Sequence, residues 1–246
     1  MKIQLRELNY HEEFADIEVD DFVTALILAA QLGRVEITRL LLENDTIDVN
    51  LASKPMQITP LIAACSAGNF EIVRLLIESG ADVNKANSIS HPPLYFCFIR
   101  LQEDTNIFEN ALICNKMATL LLQHGADVNF VVNRVKGKTI LMEYCSTKID
   151  MNVREKETNL RIIRFLVESG ANTKMKSYKG KTAMDFALRH PCRNEVLEIL
   201  RNTKQLYFFN ANNLKNSQTI KIEKTKLFSL EGSIVDNFCS FFKSCK

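Results

Sequence analysis

TPLIAACSAGNFEIVRLLIESGADVN, residues 59–84, reads as two short helices and the turns that bound them. Thr59 can cap the first helix with its side-chain oxygen, and Pro60 fits the first turn, where a missing N–H costs nothing. Leu61, Ala64 and Cys65 then face inward at helical spacing. Gly68 suits a tight turn between the helices. Gly80 can end the second helix in a left-handed conformation that other residues resist, with Asp82 and Asn84 in the turn beyond. A helix pair this short has an apolar face with nothing of its own to cover it, so it needs neighbours of the same kind.

The neighbours are in the sequence. TALILAAQLG (24–33) aligns without a gap on TPLIAACSAG (59–68), and the leucine-rich ending returns as RVEITRLLLENDTIDVN (34–50), MATLLLQHGADVN (117–129) and IIRFLVESGANTK (162–174). Further starts are PPLYFCF (92–98), KTILMEYC (138–145) and KTAMDFALRHP (181–191). Five units therefore begin at Thr24, Thr59, Pro92, Thr139 and Thr182, with spacings of 35, 33, 47 and 43 residues. The extra chain lies near 101–113 in the third unit and 148–157 in the fourth. Asn106 and Glu109 have capping-box spacing, and Ile107, Phe108, Ala111 and Leu112 continue a helical period, so the first insertion predicts a longer helix. MNVREKETN (151–159) is polar and predicts a loop.

These strings resemble the ankyrin repeat, which has a period of about 33 residues, a T-P-L-H-x-A start and a G-A-D-V-N-like close. The resemblance runs over residues 22–201. It implies an all-α solenoid of stacked helix-turn-helix units with short hairpin turns, here residues 24–201. Unit five departs from the pattern with Asp185 for His, Pro191 for Gly and no G-A-D-V-N ending, as a terminal unit would. Residues 1–23 are expected to form an acidic capping helix, and residues 202–246 a non-repeat tail. The resemblance further implies a protein-interaction module: an adaptor, scaffold or inhibitor, a class that also includes effectors delivered into host cells by intracellular bacteria.

Composition agrees with a folded soluble chain of 246 residues, 46% apolar and 24% charged. The N-terminus is acidic rather than signal-like, and no run of about eighteen apolar residues occurs, so a cytoplasmic protein is expected, or one placed in a host cell if it is an effector. Seven scattered Cys fit reduced thiols, with Cys65, Cys97 and Cys145 at core positions. No enzyme is expected. Gly137-Lys138-Thr139 and Gly180-Lys181-Thr182 lack the earlier glycines of a phosphate loop and coincide with unit starts. The four His (His11, His91, His124, His190) lie in separate segments without ligand spacing; His124 precedes a turn whose backbone it can satisfy. Catalytic residues, metal ligands and cofactors are accordingly expected to be absent.

Charge in the turns is more informative. Arg134, Lys136 and Lys138 occupy the third turn and Lys174, Lys176, Lys179 and Lys181 the fourth, with no acid over 130–138 or 173–181; the earlier turns offer Lys54 and Lys85. The first 24 residues hold seven acids against Lys2 and Arg6. These cations, together with Tyr178, predict a binding strip for a protein partner with an acidic surface, the chain itself being monomeric. The alternatives are a nucleic-acid binder using the basic turns, opposed by a net charge of only +2, or an enzyme whose activity sits in the tail. The tail's apolar clusters, Leu206 to Phe209 and Ile234, Val235, Phe238, Phe241 and Phe242, are expected to cover the last unit, with docking on a partner or membrane as the lesser alternative.

Overall fold

The computed structural model describes residues 2–3, 23–103, 107–146 and 151–202. The described helices belong to one unit, Met1–Thr203. The tail beyond it, with both of its apolar clusters, lies outside the described residues, as does most of the predicted N-terminal helix. Of that segment, β1 (Lys2–Ile3) is extended and pairs antiparallel with β2 (Val23–Thr24).

Each unit contributes two helices: α1 (Ala25–Gln31) and α2 (Val35–Leu42), α3 (Pro60–Ala67) and α4 (Phe70–Glu78), α5 (Pro93–Glu103) and α6 (Ile107–Gln123). A short hairpin, β3 (Val131–Asn133) with β4 (Lys138–Thr139), leads to α7 (Ile140–Cys145) and α8 (Val153–Glu168), then α9 (Ala183–Ala187) and α10 (Arg193–Arg201). First helices pack on first helices, α1 on α3, α3 on α5 and α7 on α9. Second helices do likewise, α2 on α4, α4 on α6 and α8 on α10.

The local reasons are those written in the repeat. Thr24, Thr59, Thr139 and Thr182 cap the first helix of their units, each accepting from the backbone N–H three residues on at 3.1, 3.1, 3.3 and 3.4 Å. Both G-K-T triplets are therefore helix starts. Gly80 takes φ of +85°, the left-handed value predicted for it, and Gly68, placed in the tight turn between the helices, is left-handed too at +77°. Leu61, Ala64 and Cys65 are fully buried.

The two insertions differ from expectation in one respect. The first lengthens α6 to 17 residues, as predicted, although Asn106 itself lies outside the described residues. The second is not the predicted loop. Asn152 accepts from the Glu155 N–H, the Glu155 carboxylate accepts from the Asn152 N–H, both at 2.9 Å, and this capping box starts α8 at Val153. Asn152, Val153, Glu155 and Glu157 are exposed at the start of this helix, Thr158 and Asn159 are already buried, and the later turns bury Ile162, Ile163, Leu166 and Val167.

Aromatic rings fill the space where the longer helices meet. Phe98 is fully buried, with the Tyr144 ring at 6.1 Å and the Phe165 ring at 5.7 Å, both edge-on, and α5 packs against α8. Cys65, Cys97, Cys114, Cys145 and Cys192 are all buried and form no disulfide. Burial pushes the Cys145 thiol up to about 12, and the neighbouring Cys65 together with burial holds Cys97 well above the ordinary thiol range, so both behave as packing groups rather than nucleophiles. His190 is also buried: its Nε2 donates to Asn159 Oδ1 at 3.0 Å and its Nδ1 accepts from the Cys192 N–H at 2.9 Å.

Candidate partner-binding surface

The turns between units are built from a short polar code. Asp48, Asp82 and Asp127 each accept from the N–H two residues ahead at 2.8 Å, and Asn172 does the same for Lys174 at 2.9 Å, folding every turn locally. The Asn that follows the Asp then reaches the next unit. Asn50 accepts from the Asp82 N–H and donates to the Gly80 carbonyl, Asn84 accepts from the Asp127 N–H and donates to the Gly125 carbonyl, and Asn129 accepts from the Asn172 N–H at 2.7 Å. The stack is thus laced by side chains, and at the fourth turn Lys174 stands where the lacing Asn would be.

Beyond this ladder each turn closes onto the next helix. Ser53, Asn87 and Ser177 are buried, and their side chains accept from Ile58, His91 and Lys181 N–H groups respectively, at 3.1, 2.9 and 3.2 Å. In the third turn Val132 takes the buried position, and the β3–β4 pairing of Val131 with Thr139 closes the turn instead. Two residues before each cap the backbone is left-handed in all four turns: Gln57, Ser90, Gly137 and Gly180 have φ of 54°, 69°, 65° and 69°. Adjacent tips are joined, Ser88 N–H to the Met56 carbonyl at 3.0 Å and Tyr178 N–H to the Lys136 carbonyl at 3.1 Å.

The ten residues assigned to the binding strip separate under this geometry. Arg134, Lys136, Lys174, Lys176, Tyr178, Lys179 and Lys181 are exposed on the third and fourth turns. Lys54 is exposed on the first turn, two turns away. Lys85 is exposed but donates to the Asn50 carbonyl at 3.0 Å, a tie between units. Lys138 is the correction. It is only 7% exposed, its Nζ lies 3.2 Å from Glu143 Oε2, close enough for ion pairing though off hydrogen-bond geometry, bonds Ser146 Oγ, and stands 4.7 Å from the centre of the Phe186 ring. The same position, immediately before the cap, holds Ile58 and His91 in earlier units and the exposed Lys181 in the next, so Lys138 is turned inward by Glu143, Ser146 and the Phe186 ring rather than by its position alone. Lys181 and Lys176 act on Asp185, whose carboxyl is held below its usual range first by the Thr182 backbone and side-chain hydrogen bonds and then by these two cations.

Apolar residues that a count of charges passes over share this surface. Phe130, Val131, Met175 and Tyr178 line an open hollow with Arg134, Asp127 and Asn129. Val135 is 87% exposed and Tyr178 73%. The Tyr178 ring lies over Gly137: a Cβ there would come within 2.4 Å of the ring, so only glycine accepts both the ring and the left-handed φ. Aligning the residue after each turn gives Leu51, Lys85, Phe130 and Met175, apolar in three of four units at a place with no core to fill, and this was the signal available. Of the isolated groups, His124 Nδ1 meets a backbone carbonyl at 2.9 Å, that of Leu120 in the last turns of α6 rather than one in the following turn. Among the described residues no cluster of three or more His, Cys, Asp or Glu is placed to hold a metal ion, and no helix is long and apolar enough to cross a membrane.

A stack of helix pairs with asparagine-laced turns defines a helical repeat protein. Residues 5–87 match the sequence model of the family described as ankyrin repeats in three copies, and over that stretch the match supports an ankyrin-repeat protein. The matched stretch takes in residues 5–23, and beyond residue 87 the same helix pairs and the same ladder continue the repeat. No curated protein matches the chain.

Proposed function

We propose that this chain is a protein-interaction module, acting as adaptor, scaffold or inhibitor, that holds a partner with an acidic surface along its third and fourth turns. Ankyrin repeats in general mediate protein–protein interaction, and extended repeat surfaces bind without chemistry of their own. The observation that carries the finer reading is the exposure of Arg134, Lys136, Lys174, Lys176 and Lys179 on two adjacent turns that contain no acid over 130–138 or 173–181. Charge of one sign on neighbouring rigid turns raises the encounter rate with an opposite surface and selects against basic partners. The net charge of +2 gives little support to nucleic acid. A cytoplasmic setting, in the cell of origin or in a host cell, belongs to the same proposal, as does a monomeric state. The test is affinity purification with mass spectrometry of the intact chain against a variant carrying Arg134→Glu, Lys136→Glu, Lys176→Glu and Lys179→Glu. Partners lost from the variant, and lost from the parent chain as salt rises above the range where screening reaches about 8–10 Å, support the reading. An unchanged partner set would refute it.

A further inference from the structure

We infer that the hollow between the third and fourth turns takes one large apolar side chain of an acidic peptide segment, which gives the partner of the proposed function an anchor as well as a charge. The inference rests on that function and adds a specificity element to it.

The walls carry the argument. Phe130 and Met175 occupy the same place in successive units, directly after the turn, and both are half-buried, each lining the hollow with part of its surface open. Tyr178 closes the hollow from the next turn and is held there by two constraints, its N–H on the Lys136 carbonyl and its ring on Gly137. An exposed aromatic with a fixed seat loses little freedom when a partner covers it, which is what binding anchors require. The rim supplies the charge preference. Arg134 lines the hollow itself, and Lys136 and Lys176 flank it in sequence and space. Asp127 is the one acid in the wall, and its Oδ1 is already engaged by the Asn129 N–H at 2.8 Å. A partner carboxylate therefore has Arg134 in the wall to pair with, and Asp127 is partly occupied within its own turn. The hollow is open rather than enclosed, which suits a side chain projecting from a peptide laid across the tips more than a small molecule sealed inside.

The experiment uses the full chain and an array of twelve-residue acidic peptides in which one central position is varied, read by fluorescence polarisation. Peptides with central Phe, Leu or Met should bind about tenfold or more tightly than the Ser version, the scale of burying one such side chain. That preference should fall below about twofold in Tyr178→Ser and in Met175→Ser, while Arg134→Glu weakens every acidic peptide. Circular dichroism melts of each variant guard against misfolding, and Tyr178→Phe should retain the preference. Equal binding of all central residues, still sensitive to Arg134→Glu, would overturn the anchor and leave the charge reading standing. Binding that ignores Arg134→Glu, or absence of binding, would overturn both. Tyr178-dependent binding to phosphatidylserine vesicles without peptide binding would replace the peptide by a membrane and also overturn the inference.

Discussion

At the scale of single residues, two glycines in the same backbone state separate strain from contact. Gly137 and Gly180 have φ of +65° and +69°, but a Cβ at Gly137 would strike the Tyr178 ring, whereas one at Gly180 would meet nothing within 4 Å. Gly180→Ala should therefore cost only the left-handed penalty of about 1–2 kcal/mol in urea unfolding. Gly137→Ala should cost measurably more and shift the Tyr178 ring resonances. Equal losses would show that the ring does not sit on the glycine. Lys138 and Lys136 make a second pair of neighbours with opposite fates. Lys138→Gln leaves the partly buried Glu143 carboxylate without its cation and should destabilise by about 1–2 kcal/mol, while Lys136→Gln, on an exposed tip, should stay within about 0.5 kcal/mol. In binding to an acidic partner the order should reverse.

At the scale of elements, the turns are held by bonds that span 30 residues or more of sequence. Asn84→Ala removes both an acceptor for the Asp127 N–H and a donor to the Gly125 carbonyl, and a loss of about 1–3 kcal/mol is expected by thermal or urea unfolding. No loss would mean that helix packing alone couples the units. The helix starts, the turn at Gly68, the left-handed Gly80 and the core positions of Leu61, Ala64 and Cys65 were legible in the sequence because each is a local rule repeated in register. The polar first turns of α8 were not, because composition suggested a loop while the Asn152-x-x-Glu155 spacing, the same signal recognised at Asn106 and Glu109, marked a helix. The candidate surface was half legible. Charge in the turns could be counted, but the inward aim of Lys138 depends on Glu143, Ser146 and Phe186, and the seat of Tyr178 depends on a glycine 41 residues earlier. Neither depends on its immediate sequence neighbours.

At the scale of the whole molecule, two histidines link stability to pH. Burial holds both His190 and His91 below the ordinary histidine range, with Glu195 and Glu143 respectively pulling the other way. In the unfolded chain these side chains take up protons as pH falls through about 6.5, while the folded protein keeps them neutral longer. Their contribution is therefore complete above that pH and is lost progressively below it, towards the lowered folded values. Protonated His190 would also turn its Nδ1 from acceptor to donor against the Cys192 N–H. Urea midpoints measured from pH 7.5 to pH 5 should fall, and His190→Gln should flatten part of that slope; an unchanged slope would place the pH sensitivity elsewhere. The claim on which the whole account rests is that partners lie on the third and fourth turns. Placing a photo-crosslinking amino acid in turn at Lys136, Tyr178 and, as a control on exposed α2, Arg39 tests it most directly. Adducts to one acidic-faced protein from positions 136 and 178, abolished by Arg134→Glu and absent from position 39, are the predicted result; adducts formed equally well from position 39, or surviving Arg134→Glu, would contradict it.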